Sequence, residues 1–147
     1  MNNINSLITL RDKKPSDDDF IIDAWIKGLR GNTTLGAMPP QIYFKKASKL
    51  IQFIYGRSYA LIAADKTDDS VIFGFCVFRF VGNIPVVPYI YVKSPFRKLG
   101  IGTLLLNEIS KDSKIITNMN PRKEKFFSKR NCIYDGFIDW EEYCGRD

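Results

Sequence analysis

Two basic residues and two glycines stand between an apolar strand pattern and an amphipathic helix pattern, in the run Arg97-Lys98-Leu99-Gly100-Ile101-Gly102. Strand signals are dense from Val86 to Val92, while Ile101, Leu104, Leu105 and Ile109 recur at helical spacing. Lys93 to Leu99 is therefore expected to be a loop that ends at a helix N-terminus. The first N–H groups of a helix have no acceptor within it, and the aligned peptide dipoles place partial positive charge there. A pyrophosphate can accept several of those donors together. Gly100 and Gly102 would let it approach the backbone, and Arg97 and Lys98 add full charges beside it. The expected guest is a phosphorylated anion. Two familiar phosphate loops do not fit. The dinucleotide fingerprint needs a third glycine where Leu105 stands, and the P-loop needs Gly-Lys-Ser/Thr, which the chain lacks.

What is missing narrows the chemistry further. With no histidine, Ser-His-Asp and Cys-His nucleophiles and the common histidine metal sites are excluded. Cys76, Cys132 and Cys144 are odd in number and lack Cys-x-x-Cys spacing, so reduced thiols are expected, with neither a disulfide framework nor a metal site. A formal charge of +6 favours anionic partners: phosphorylated cofactors, nucleic acid or acidic protein surfaces. Hydrophobic residues make up 45% of the 147, enough for a proper core in one domain spanning residues 1–147. No apolar run approaches the roughly 20 residues that cross a bilayer, and the polar start Met1 to Ser6 does not read as a signal peptide. A soluble, cytoplasmic protein without membrane contact is the expectation.

The elements that must position the basic loop follow from the same patterns. Ser6 to Arg11 alternates as a first strand. Ser16 with Asp17, Asp18 and Asp19 is a helix start, Ser16 capping and the aspartates favouring the positive dipole end. That helix should run from Asp17 to Arg30. Gly31 to Pro39 reads as a loop, and Pro40 suits the first turn of a second helix that ends near Gly56. Ser58 to Asp65 and Val71 to Val81 form a hairpin, the second run central because it is apolar on both faces. After the basic loop and its helix come a short strand, Lys114 to Asn118, and a helix from Pro121 to about Arg130. Asp135-Gly136 within Cys132 to Tyr143 then suggests a closing hairpin. Pro88 cannot donate to a sheet ladder, so inside an apparently central strand it implies a bulge or an opened edge.

The run from Arg97 to Gly102, following Tyr89-Ile90-Tyr91-Val92-Lys93, resembles the Arg/Gln-x-x-Gly-x-Gly/Ala motif of the GNAT superfamily of acyl-CoA-dependent N-acyltransferases. The order of elements matches that fold over nearly the whole chain. The resemblance implies an α/β (α+β) fold with a mixed, mostly antiparallel sheet of six or seven strands and about four helices. It also implies that the fourth and fifth strands splay so that a pantetheine arm lies between them. The segment Asp19 to Asn32 also looks like the start of small phage-encoded members, which would place the protein in host cytoplasm.

By the same resemblance, acetyl-CoA is the acyl donor and an amine, on a small molecule or a protein, is the acceptor. The acceptor is expected between the Gly31 to Pro39 loop and the closing hairpin. The backbone of Tyr91, Val92 and Lys93 would meet pantetheine, and N–H groups from Lys98, Leu99, Gly100, Ile101, Gly102 and Thr103 would meet the pyrophosphate, with Arg97 on phosphate. Asn120 would bind the pantetheine arm, with capping of the Pro121 helix as its alternative role. Lys129 and Arg130 could reach the ribose phosphate, although a solvated helix face is the commoner reading. The segment Asn120 to Lys129 is similar to the pattern Asn-x-x-Ala-x-x-Phe-Tyr-Glu-Lys, with Asn120 and Phe126 matching. It departs where Lys123 replaces the small residue and Phe127 replaces the tyrosine expected to protonate the departing thiolate. Tyr134 and Tyr89 are the remaining candidates for proton transfer, each with an ordinary buried role as the alternative. Two rival readings stay open: a non-catalytic binding protein on the same fold, motivated by Phe127, and a basic nucleic-acid-binding domain, motivated by net charge.

Overall fold

The computed structural model describes residues 6–32, 34–118 and 121–145. A six-stranded sheet carries its strands in chain order: β1 (Ile8–Asp12), β2 (Tyr59–Asp65), β3 (Ile72–Val81), β4 (Ile84–Val92), β5 (Lys114–Ile116) and β6 (Cys132–Tyr134). The first four run antiparallel. β5 is parallel to β4, and β6 is parallel to β5. Helices α1 (Asp18–Asn32), α2 (Pro40–Tyr55) and α5 (Trp140–Cys144) contribute to the core on one face. On the other, α3 (Ile101–Ile109) and α4 (Glu124–Ser128) cover a second core that includes Ala63, Cys76, Val87 and Leu105. This is the mixed, mostly antiparallel arrangement that the resemblance implies.

Two local expectations are corrected. Ser16 does not cap α1. Pro15 fixes a 3-10 turn, Pro15–Asp17, and it is Asp17 that reaches back to accept the Lys14 N–H at 2.7 Å. The closing hairpin is also absent. After β6 the Asp135 carboxylate accepts the Phe137 N–H at 2.8 Å, and Asp139 accepts from Glu141 N–H at 2.9 Å to start α5. A good N-cap followed by two glutamates in the first turn outweighs the strand-like apolar run. The acceptor place that the hairpin was to frame loses that wall.

Pro88 does what its missing N–H requires. The register passes from Val77↔Tyr89 to Arg79↔Val86, so β4 spends one extra residue against β3 and bulges at Val87 and Pro88. β5 pairs with β4 only at Val86↔Ile115 and Val87↔Ile116. Beyond Pro88, β4 continues to Val92 while β5 ends, and the strands part.

Arg11 on β1 grips Asp17 through two contacts, Nη1 to Oδ2 at 2.7 Å and Nη2 to Oδ1 at 3.2 Å, with both side chains largely buried. The Arg11 hydrogen bond holds the Asp17 carboxyl below its ordinary pKa, against the opposing effect of burial. A carboxylate depressed on folding stabilises fully above its unfolded pKa of about 3.9 and loses that contribution as pH falls through the folded value. Asp17→Asn is expected to cost about 3 kcal/mol at pH 7. The gap to the parent chain should narrow as pH drops below about 4, and urea unfolding at pH 7 and at pH 3 measures both effects.

Candidate functional site

Gly100 stands at the N-cap of α3 with φ 89°, a left-handed conformation that a side chain resists, and a Cβ there would meet nothing within 4 Å. Lys98 adopts φ 68° in the same loop. The first intrahelical bond is Leu104 N–H to Gly100 O at 3.0 Å. The N–H groups of Ile101, Gly102 and Thr103 therefore precede any helical acceptor, and no side chain caps this end. Gly102 has a different reason to be glycine: a Cβ would lie 2.9 Å from the Phe126 ring. Phe126 in turn supports the Arg130 guanidinium, 3.9 Å above its centroid. Arg130 donates from Nε to Thr103 Oγ1 and from Nη1 to Phe126 O, both at 2.7 Å. The first turn of α3 and the end of α4 are thus locked together, with the arginine held between them.

A cavity of about 590 Å³ opens over this junction. Five cations line it, Arg97, Lys98, Arg122, Lys123 and Arg130, and no carboxylate does among the described residues. Its apolar side comes from Ile90, Val92, Phe96, Phe126 and Phe127. Partial loss of water, and secondarily the Arg97 charge, pull the Lys123 ammonium below its ordinary pKa, although the side chain as a whole stays in contact with solvent. A second, smaller cavity of about 30 Å³ lies where β4 and β5 part, lined by Val87 to Ile90 together with Ile116, Asn118, Lys123 and Phe127. Ile90, Lys123 and Phe127 line both. Asn118 spans the gap, donating from Nδ2 to Pro88 O at 2.7 Å.

The supporting shell contains an unusual cation. Lys114 on β5 is 1% exposed, and its ammonium donates to Asp112 O at 3.0 Å and to Arg130 O at 3.1 Å. It fixes the backbone of the arginine that the cavity uses.

Several solved structures share this architecture. A Pyrococcus furiosus protein assigned as an acetyl transferase superposes with a TM-score of 0.68, at 15% identity, over 90% of this chain and 97% of its own. The GCN5-related glucosamine N-acetyltransferase region of a fungal multi-domain β-N-acetylglucosaminidase gives 0.52 at 18% identity, over 84% of this chain and 16% of that protein. A protein of Deinococcus radiodurans R1, assigned as an acetyltransferase, gives 0.50 at 14% identity over 95% and 94% of the two chains. The fold is that of the GNAT acetyltransferases. No family model matches the sequence, and neither does any curated protein.

In this GNAT fold the expected residues divide. Arg97, Lys98, Gly100, Ile101, Gly102, Thr103 and Val92 line the larger cavity, whereas Leu99, 46% exposed, lines neither. Lys93 N–H is spent on Phe73 O at 2.8 Å, and antiparallel alternation gives Tyr91 the same direction. Those two backbones face β3, while Ile90 and Val92 turn theirs toward the gap. Val92 O already accepts Arg97 Nε at 2.9 Å. The bulge turns Tyr89 to the α1 face, where it stacks on Trp25 at 5.7 Å and its hydroxyl meets Ala24 O at 3.4 Å. Burial raises its pKa, so this hydroxyl is a poor proton donor aimed away from the larger cavity. Tyr134 is half exposed at the end of β6 and lines neither cavity. Asn120 lies outside the described residues. Sequence reading missed Ile90, Asn118 and Arg122, and it set Arg130 aside. The spacing of Phe126 and Arg130, four residues apart, could have placed those two on one helix face.

Removing either brace of the site should be measurable. Gly100→Ala is expected to lose about 1 to 2 kcal/mol from its left-handed backbone. Asn118→Ala should lose about 1 to 3 kcal/mol by stranding Pro88 O, and denaturant unfolding reads both.

Proposed function

We propose that this chain is an N-acyltransferase that takes an acetyl or related acyl group from acyl-CoA to an amine. The observation that carries this reading is the cavity whose charged lining residues, among the described residues, are all cations, and which runs from an uncapped helix N-terminus to a gap in the sheet. Its volume of about 590 Å³ suits a ligand of nucleotide-thioester size. The N–H groups of Ile101 to Thr103 would hold the pyrophosphate, with Arg97 and Lys98 beside it. Arg130 and Arg122 would meet the ribose phosphate. The backbone groups of Ile90 and the N–H of Val92, turned toward the gap, would take the pantetheine amides in the manner of an added strand, Val92 O being held by Arg97.

A neutral amine attacks the thioester carbonyl, the oxyanion is held by an N–H of β4, and collapse expels the CoA thiolate. The nitrogen gives up one proton and the sulfur takes one. Phe127, 5% exposed, brings no hydroxyl to this exchange. Positioning contributes roughly 7 to 11 kcal/mol, whereas one general acid is worth about 10²- to 10⁴-fold in rate. Phe127 therefore slows turnover without forbidding it.

Phe127 and the averted Tyr89 hydroxyl favour one second reading, a protein that binds acyl-CoA without turning it over. Thiol release across a panel of amines separates the two: release above the rate without amine supports transfer, and binding without release supports the second reading. Calorimetric titration with acetyl-CoA tests what both share. Binding is expected, weakening as salt rises, and absence of heat at millimolar acetyl-CoA would overturn both. Arg130→Met should weaken binding about tenfold, near 1.4 kcal/mol. Gly102→Glu should weaken it more, because its carboxylate would displace Phe126 and repel the diphosphate.

A further inference from the structure

Two lysines line the cavities, Lys98 and Lys123, and only Lys123 lines both the cationic cavity and the gap between β4 and β5. It lies one helical turn before Phe127, the residue that lines the same two spaces. If the diphosphate sits on the first turn of α3 and the pantetheine follows β4, the thioester arrives where Lys123 and Phe127 meet. Lost hydration and the neighbouring Arg97 charge both favour the uncharged amine at this position.

We infer that Lys123 is a self-acylation site: its Nζ attacks the bound thioester and becomes the amide, releasing CoA. The inference rests on the acyl-CoA reading above. The N–C bond forms, the C–S bond breaks, and the proton shed by the nitrogen neutralises the departing thiolate. No tyrosine is needed, because donor and acceptor of that proton belong to the same reacting pair. The product is an ordinary amide, too stable to pass its acyl group on. It also removes one of the five cations that line the cavity. One modification per chain therefore weakens the next binding event, and the site limits itself.

Site-resolved mass spectrometry on the intact protein incubated with acetyl-CoA tests this. Lys45, Lys46 and Lys49, exposed on α2, serve as internal references for uncatalysed acetylation. Lys123 should gain its acetyl group at least about tenfold faster than they do, since ordering donor and amine in one site far outpaces random encounter. Excess CoA should suppress labelling at Lys123 and leave α2 unchanged. A short acetyl thioester lacking the nucleotide should show a much smaller preference for Lys123 than acetyl-CoA does. If acetyl-CoA binds calorimetrically and Lys123 is labelled no faster than the α2 lysines, self-acylation is overturned while the acyl-CoA reading stands. If acetyl-CoA does not bind, both fall.

Discussion

One absent hydrogen-bond donor organises this molecule. Pro88 cannot continue the ladder in the middle of β4, so the strand bulges against β3 and loses its partnership with β5 just beyond. Three features of the site follow from that interruption. The strands part, which makes the gap. The side-chain phase slips, which sends Tyr89 to the α1 face and leaves Ile90 opposite it. The remaining length of β4 keeps backbone donors and acceptors turned toward the opening. Asn118 keeps the interruption from becoming a defect by satisfying the Pro88 carbonyl from across the gap. A buried carbonyl left alone would otherwise cost about 1 to 3 kcal/mol.

The electrostatic half of the site is assembled separately, at the seam between α3 and α4. Five like charges around one cavity repel one another, and the lowered pKa of Lys123 records part of that tension. The protein offsets it locally. Arg97 is tied to Val92 O, and Arg130 rests on an aromatic face while bonded to Thr103 and to its own helix. Those two arginines are fixed before any anion arrives, so binding does not have to order them. The site also sits on backbone strain, since Lys98 holds a left-handed conformation without being glycine.

The parts legible in the sequence were those with a local cause. The strand, basic loop and α3 were readable because apolar periodicity changes from two to three and a half across a pair of glycines. Pro40 marked the start of α2 and Pro88 marked the bulge. What failed had either a competing local signal or contacts distant in the chain. The Asp135-Gly136 pair looked like a hairpin turn, yet Asp139 starts a helix four residues later. Tyr89 was a candidate for proton transfer, but the bulge turns its side chain to the α1 face, where it stacks on Trp25. Asn118 gave no local sign that its amide would cross to Pro88, thirty residues earlier. Arg130 looked like one more solvated charge until Thr103 came to it from α3.

The buried ammonium of Lys114 carries a mechanical implication. Held among the described residues by two backbone carbonyls, from the turn before β5 and from the turn after α4, it forfeits its hydration the moment it folds and regains it only if both sides let go. Fraying at one side would strand the charge, so partial opening is penalised more than complete release. The far edge of the sheet, from β5 through α4 to β6, therefore behaves as one cooperative unit that detaches or docks whole. In native-state hydrogen exchange its amides should share a single opening free energy, distinct from that of the antiparallel strands beside them.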